Sequence, residues 1–308
     1  MADPRFILHH YESSPYAEKI RLLLGRGQQT WGSVLSPAMP PRPNIDPLSG
    51  GYRRIPIAQV GADIFCDTAI ISLEIAGRSS QSAMTAASVT DDMSALVERA
   101  ESEVFFSAIA GVKPLKLIAT LLRLFGPFGM IRFVKDRGRM MKSGTVRPAQ
   151  GDKATAIFDR FLADLDAMLA SKRCLSGDEP GYADFTVYHP IWLNALVTGN
   201  GIDANYAQVS RWYQQVAGVG HGSREELDAA TAFSEAKDNE PRPVPESESH
   251  VDYLHTQVMV APTDYGCEAV EGVLVAQTPD RWIVARDTDE FGTVHVHFPR
   301  HDYAVTPK

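Results

Sequence analysis

The sequence predicts three successive regions of different fold class: an α/β region, an all-helical region and a small all-β region. Three observations support this division. Residues 1–77 alternate strand-like and helix-like patterns, residues 91–233 carry apolar side chains at helical spacing, and residues beyond 250 form short strand-like runs between turn residues. A chain of 308 residues is long enough for several hydrophobic cores. We therefore predict domains at residues 1–80, 88–237 and 250–308.

The composition is that of an ordinary globular protein and argues against several classes of function. The formal net charge is -8, which argues against a general affinity for nucleic acid or for anionic lipid. The cysteines at positions 66, 174 and 267 form neither a Cys-x-x-Cys pair nor the spacing of metal ligands. We expect a reduced, cytoplasmic protein without a signal peptide or a membrane span.

The first 35 residues are predicted to form a strand, a helix and a second strand. Residues 6–10 are a short, partly apolar run, and apolar side chains recur at helical spacing from Tyr16 onwards. Ser14 is a favoured N-cap and Pro15 suits the first helical position, so we place the helix start there. The free N–H groups of a helix start favour an anion, and a serine hydroxyl at that place can donate a hydrogen bond to a thiolate.

After a proline-rich loop over residues 36–50, the pattern predicts a hairpin and a further helix. The hairpin strands cover residues 55–60 and 64–66, and Pro56 suits an edge or a special turn because proline cannot donate to a strand ladder. The pair Asp67-Thr68 then caps an apolar helix that ends at Gly77. Besides capping, a carboxylate and a hydroxyl at a helix start can bind an ammonium group and a carboxylate of a ligand.

Three motifs of this first region together resemble the serine-type glutathione S-transferases. They are Ser14-Pro15, which precedes the triplet Lys19-Ile20-Arg21, then Ile55-Pro56, then Asp67-Thr68. The resemblance implies a thioredoxin-like, glutathione-binding domain followed by an all-helical domain, and it does not cover the third region. The loop Ser14–Ala17 also resembles the Cys-Pro-Tyr-Cys loop of glutaredoxins without its sulfurs, which argues against disulfide exchange.

The resemblance implies that Ser14 activates the thiol of glutathione. A free thiol has a pKa of roughly 8.5, so only a small part of it is ionised near neutral pH. A hydrogen bond of about 1.5 to 3 kcal/mol to the thiolate would lower this pKa by roughly one to two units. Tyr11 and Ser13 are neighbouring hydroxyls that could donate instead, but the spacing to Lys19-Ile20-Arg21 favours Ser14.

The other two motifs are implied to hold the rest of the tripeptide. In the family the proline equivalent to Pro56 is cis, and the backbone of the residue before it, here Ile55, pairs with the cysteinyl part of glutathione. The pair Asp67-Thr68 would hold the γ-glutamyl end. Arg54, or its neighbour Arg53, is the cation nearest to Pro56 for the glycine carboxylate, and a solvated loop is the alternative explanation for both arginines.

The second region carries a helix-start signature and an unusual basic segment. Asp184 follows Gly181 by three residues and can accept its N–H, so we predict a structural cap, although the family usually has serine or threonine where Gly181 stands. Residues 113–142 hold eight basic residues and one acid amid many apolar side chains. We predict a pair of helices that line the substrate pocket, broken at Gly126-Pro127, in preference to a membrane-bound helix.

The third region follows a polar, proline-rich segment over residues 238–249, predicted as a tether between domains. Five short strands with turns between them suggest a small barrel or rolled sheet. His295 and His297 share one strand face near His301. We interpret the strand histidines as the solvent face of a half-buried strand and predict no metal site.

These observations predict an enzyme that activates glutathione as a thiolate through Ser14 for attack on a small apolar or anionic electrophile. Conjugation, dehalogenation, isomerisation and ether cleavage share this first step. The competing hypothesis is a non-catalytic module that uses the same scaffold for binding or assembly. The predicted partners are glutathione, the electrophile and a second copy of the chain in a homodimer.

Overall fold

The computed structural model describes residues 4–79, 81–248 and 251–308. Ser80 of the predicted interdomain linker, and Ser249 and His250 at the predicted third boundary, lie outside the described residues. The first region has the predicted order of elements. They are β1 (Phe6–His10), α1 (Pro15–Arg26), β2 (Thr30–Leu35), α2 (Asp46–Ser49), β3 (Ile57–Val60), β4 (Asp63–Cys66) and α3 (Thr68–Ser79).

Details of this first region differ from the sequence pattern only at element ends. Strand β1 pairs parallel with β2 and antiparallel with β3, as a thioredoxin-like arrangement requires. Strand β3 begins at Ile57 instead of residue 55, because Pro56 has no N–H to donate to the ladder. The Ile55–Pro56 bond is cis. Helix α3 continues past Gly77 to Ser79, since a single glycine weakens a helix but need not end it.

The second region is mainly helical and packs against α1 and α3. Its helices are α4 (Asp91–Arg99), α5 (Phe105–Ala110), α6 (Pro114–Lys142), α7 (Gly151–Leu169), α8 (Tyr182–Thr198), α9 (Ala207–Ala217) and α10 (Ala229–Lys237), with a π-helical segment (Ala100–Val104) between α4 and α5. The short strand β5 (Ser223–Glu226) departs from the predicted helical pattern. It pairs parallel with β2 and so covers an open sheet edge, which its polar sequence did not indicate.

Asp184 is a structural cap, as predicted. Its carboxylate accepts N–H groups of Gly181 at 3.0 Å, Leu175 at 2.8 Å and Ser176 at 2.9 Å, together with the indole N–H of Trp212 at 2.7 Å. Position 181 has no room for the serine or threonine usual in the family, because a Cβ there would lie 2.7 Å from the Ser176 hydroxyl. Four donors on one fully buried carboxylate explain why half of the reciprocal cap can be absent.

The third region contains the five predicted strands, which extend the sheet of the first region. They are β6 (Gln257–Pro262), β7 (Val270–Gln277), β8 (Arg281–Thr288), β9 (Gly292–Pro299) and β10 (Tyr303–Pro307). The combined sheet has ten strands in the order β10-β6-β7-β8-β9-β4-β3-β1-β2-β5. Strand β9 pairs parallel with β4, with Ile64 opposite Val296. The proposed domain boundaries stay a prediction, but the two groups of strands share one sheet.

Buried polar contacts hold this junction, and they correct the prediction for the strand histidines. His297 is buried, donates from Nε2 to the Asp63 carboxylate at 2.7 Å, and stacks on Phe65 with ring centroids 4.6 Å apart. Arg242, from the predicted tether, also binds Asp63 at 3.2 Å and Glu74 at 3.1 Å. The histidine face is therefore packed against the first region instead of facing solvent.

Four buried histidines predict a stability that falls with acidity. Burial lowers the pKa of His9 to about 4 and that of His10 to about 3, and burial also lowers the pKa of His189 and of His297. In the unfolded chain each has a pKa near 6.5, so below this pH the unfolded state takes up protons that the folded state excludes. The four histidines therefore leave the free energy of unfolding undiminished above about pH 6.5. Below this pH the free energy of unfolding falls by up to about 5 kcal/mol per pH unit for the four sites together.

We expect Tm to fall steeply between pH 7 and pH 5 in a calorimetric or fluorescence melt. Among the described residues, His189 has no hydrogen bond to another side chain, and the backbone of its own helix at Phe185 and Thr186 lies near its ring nitrogens, so His189→Leu should remove about a quarter of the slope. His301→Leu is the matched control, because this side chain is 94% exposed and should leave the slope unchanged. A Tm that is constant over this range contradicts the burial of neutral histidines.

Candidate active site

All six residues predicted to bind or activate glutathione line one cavity of about 530 Å³. The cavity lies between the C-terminal end of β1, the start of α3 and the helices of the second region. One wall is formed by the motif residues and the opposite wall by apolar side chains of α5, α6 and α8. The predicted residues on the first wall are Ser14, Arg54, Ile55, Pro56, Asp67 and Thr68.

Ser14 is the N-cap of α1, as the sequence predicts. Its hydroxyl oxygen accepts the N–H of Ala17 at 3.2 Å, and Pro15 occupies the first helical position. The side chain is almost fully buried yet faces the cavity. Among the described residues no acceptor takes the hydroxyl hydrogen, so this hydrogen is free to bind a ligand atom. Tyr11 and Ser13, the alternative donors, also line the cavity.

Asp67 and Thr68 stand at the start of α3 on the same wall. The backbone of Asp67 has a φ of +87°, a conformation that non-glycine residues rarely adopt and that occurs often at binding sites. One carboxylate oxygen accepts the N–H of Ala69 at 3.0 Å and the other accepts the Tyr303 hydroxyl at 3.1 Å. Burial raises the pKa of Asp67, and the nearby Arg54 opposes this shift.

The guanidinium group of Arg54 already has protein partners, and its predicted role in binding glutathione stays a prediction. It lies 3.5 Å from the Asp67 carboxylate, forms an ion pair with Asp264, and donates to the Tyr265 carbonyl oxygen at 2.7 Å. The Tyr265 ring lies 4.1 Å from its charge centre. Arg53 is also paired, with Asp136 at 2.5 Å. Neither arginine is the exposed loop residue of the alternative explanation.

The third region therefore supplies residues to the cavity that the sequence analysis did not identify. Asp264 and Tyr265 lie in the connection between β6 and β7, and Tyr303 begins β10. Backbone N–H groups of Thr145 and Val146 bind the Asp264 carbonyl oxygen at 2.8 and 3.3 Å, which fastens this connection to the end of α6. No motif marked these residues, since their role depends on the pairing of β9 with β4.

Two buried polar groups connect the cavity walls. The Tyr265 hydroxyl donates to the Tyr16 hydroxyl at 3.1 Å, and burial raises the pKa of both phenols, so they are neutral donors at physiological pH.

Lys19 contacts Glu101 at 2.7 Å and the Tyr182 hydroxyl at 3.1 Å. Burial alone would lower the pKa of Lys19, but Glu101 and Tyr182 together outweigh burial and the net shift is upward. The π-helical turn that carries Glu101 is a type of element often found at functional sites.

The remaining cavity wall is apolar, and the described residues offer no metal centre. Within residues 4–79, 81–248 and 251–308, no group of three or more His, Cys, Asp or Glu side chains could hold a metal ion. Of the eight basic residues in segment 113–142, only Arg137 lines the cavity, and it pairs with Asp136 at 2.8 Å. The apolar wall includes Phe105, Phe106, Ile109, Leu117, Leu121 and Leu193.

Arg54 provides a test of the site's internal electrostatics. Arg54→Gln should destabilise the fold by about 3 to 5 kcal/mol, because the buried Asp67 and the adjacent Asp264 would lose their shared cation. Arg99→Gln is a matched control: Arg99 also pairs with two carboxylates, those of Glu103 and Asp164, but near the surface, where about 1 kcal/mol is expected. Equal losses in denaturant unfolding would contradict the proposed burial of the Arg54 cluster.

Comparison with known proteins connects this architecture to glutathione transferases. No protein-family model matches the chain, and no curated protein matches it. A solved structure, a GST-like protein from Pseudomonas syringae, is 29% identical and matches 99% of this chain and 100% of its own with a TM-score of 0.78.

Two further solved structures match only part of the chain. A glutathione S-transferase from Actinobacillus pleuropneumoniae is 16% identical over 75% of this chain and 92% of its own, with a TM-score of 0.45. A glutathione S-transferase domain-containing protein from Marinobacter aquaeolei is 16% identical over 68% of this chain and 97% of its own, with a TM-score of 0.46. Both scores are below 0.5, so the comparison rests on the P. syringae structure. That match includes the C-terminal strands, so the chain is GST-like over its whole length and its predicted resemblance to the glutathione S-transferases is confirmed.

Proposed function

We propose that this chain is a glutathione-dependent transferase that ionises the thiol of bound glutathione and directs the thiolate to a small apolar electrophile. One observation carries the proposal: three separate sequence motifs, which span residues 14–68, converge on one wall of a single cavity. A scaffold used only for assembly has no need for this convergence. Glutathione would lie along the motif wall, and the electrophile against the apolar wall.

Ser14 has the surroundings of a hydrogen-bond donor to a thiolate. Its oxygen accepts the Ala17 N–H, which polarises the O–H bond and strengthens it as a donor. The partial positive charge at the start of α1 acts in the same direction. The thiol proton would leave to solvent, and the sulfur electron pair would form the new bond to the electrophile. One bond of the electrophile would break in the same step, and its electron pair would depart with a leaving group or, in an addition, move to the neighbouring atom and take up a proton from solvent. Ser14 itself would not be a nucleophile, because among the described residues its hydroxyl has no hydrogen bond to a histidine or a carboxylate that could remove its proton.

The charges at the start of α3 fit the γ-glutamyl end of glutathione. Asp67 and Asp264 carry two negative charges and Arg54 one positive charge, so the cluster has a net charge of -1. An α-ammonium group would balance this charge, and Thr68 with the first N–H groups of α3 suits the adjacent carboxylate. We propose that Arg54 orients Asp67, because the glycine carboxylate of glutathione would have to displace Asp264 to bind this arginine.

An apolar electrophile suits the opposite wall better than an anionic one. Each arginine that lines the cavity is already paired: Arg53 with Asp136 and Glu268, Arg137 with Asp136, and Arg54 with Asp67 and Asp264. No free cation among the described lining residues would therefore offset the desolvation of an anionic substrate. The Tyr16 hydroxyl accepts from Tyr265 and keeps its own hydrogen, which could bind an oxygen atom of the electrophile.

A non-catalytic binding or assembly module is the second candidate. The observation that favours it is that Asp264, Tyr265 and Tyr303 occupy space next to Arg54 and Asp67, where a ligand would otherwise bind. A cytoplasmic location and a homodimer stay predictions under either function.

Glutathione binding discriminates between the two candidates. Millimolar glutathione should raise Tm by a few degrees, since a ligand that binds only the folded state stabilises it. Asp67→Asn should weaken this shift by removing the acceptor for the ammonium group. Asp91→Asn, at the exposed start of α4, is the matched control and should leave the shift unchanged. If glutathione neither shifts Tm nor retains the protein on glutathione-agarose, the enzyme proposal fails.

The role of Ser14 can be measured through the absorbance of the bound thiolate as a function of pH. Ser14→Ala should raise the pKa of bound glutathione by roughly one to two units while binding persists. The variant also loses the N-cap of α1, which costs about 1 kcal/mol of stability, so Tm is measured in parallel. Ser13→Ala is the control and should keep the pKa. An unchanged pKa in Ser14→Ala, with a shift in Ser13→Ala, would transfer the role to Ser13.

A further inference from the structure

Helix α6 exposes more apolar surface than any other described element. Seven of the eleven large hydrophobic side chains that are exposed in the described part of the chain belong to this helix. Leu115 is 82% exposed and Phe128 is 84% exposed. Only Thr120 and Met140 of this helix are buried. Single exposed apolar residues are common on soluble proteins, but seven on one helix indicate an interaction surface, and five of them lie outside the cavity lining: Leu115, Ile118, Leu122, Phe128 and Ile131.

The same helix concentrates positive charge. Residues 113–142 contain eight basic residues and one acid, a net charge of +7, whereas the whole chain carries -8, so the remainder carries -15. Seven of the eight basic side chains are exposed and lie within 4.0 Å of no described carboxylate; only Arg137 is paired. The net charge of the whole chain therefore hides a strong difference in charge between α6 and the rest of the molecule.

The geometry of α6 suits a surface position instead of a membrane crossing. By length and composition the helix could span a bilayer, with a mean hydropathy of 1.6 in its most apolar 18-residue window. Gly126, however, has a φ of +67° and divides it into halves of 12 residues (114–125) and 16 residues (127–142). A crossing needs about 20 helical residues, so neither half is long enough. The stacked rings of Phe125 and Phe133, 4.6 Å apart, pack the halves together.

We propose that α6 docks this protein on an anionic lipid bilayer. Leu115 and Phe128 would enter the interfacial apolar layer, while Arg123, Arg132 and Lys135 would bind the lipid phosphates. Charge complementarity favours this occupant. Two copies of α6 in contact would bring together two segments that each carry a net charge of +7. An anionic bilayer attracts α6 and repels the rest of the chain, which carries a net charge of -15. This proposal departs from the expectation drawn from the net charge of the chain, and it does not depend on catalysis.

Cosedimentation of the full chain with lipid vesicles tests the proposal. We expect binding to vesicles of phosphatidylcholine mixed with phosphatidylglycerol, weaker binding at high salt, and about tenfold weaker binding to phosphatidylcholine alone. Leu115→Ser combined with Phe128→Ser, and separately Arg123→Glu combined with Lys135→Glu, should each weaken binding by about tenfold or more. Leu35→Ser removes an exposed apolar side chain elsewhere and is the control. Tm of each variant verifies folding.

Two outcomes would overturn the proposal. One is the absence of vesicle binding, or binding that does not depend on anionic lipid. The other is self-association in analytical ultracentrifugation that disappears in the Leu115→Ser, Phe128→Ser variant while vesicle binding is absent, which would identify a second copy of the chain as the occupant of this face.

Discussion

The pairing of β9 with β4 is the constraint on which the site depends. A thioredoxin-like sheet that ended at β4 would leave the motif wall open on that side. Instead, Asp63 and His297 bind each other across the junction, and the five C-terminal strands continue the sheet. This attachment carries the connection between β6 and β7 over the cavity. Tyr265 and Asp264 thereby reach Arg54, which precedes them by about 210 residues in the chain.

The result is a site whose charged groups are paired with one another before any ligand binds, with a net charge of -1 left on the Arg54 cluster. Arg54, which the sequence suggests as a ligand for a carboxylate, is instead the centre of a cluster with Asp67 and Asp264. A buried carboxylate alone would be costly, and the arginine reduces this cost without removing the negative charge of the cluster. Under the proposed function, ligand recognition at this end of the cavity would depend on the net charge of the cluster and on the shape left by Tyr303, not on one residue.

Local chemistry explains what could be predicted from the sequence. Ser14, Asp67 and Asp184 each cap a helix within three residues, so their positions follow from short-range rules. Tyr265 and His297 could not be predicted in the same way, because their partners lie more than 200 residues away and the strand pattern does not specify which sheet edge β9 joins. Strand β5 was missed for a related reason, since its polar sequence pairs only because β2 offers an open edge.

The late position of β9 and β10 also affects the order in which the protein acquires its site. Synthesis proceeds from the N-terminus, so the motif residues and the central helices emerge from the ribosome before Tyr303 does. Until the final strands arrive, β4 remains an unpaired edge that can associate with other chains. Cleavage within residues 238–248 would leave only noncovalent contacts, such as the strand pairing, the Asp63–His297 contact and the shared apolar core, to hold the tyrosines against the thiol-facing wall.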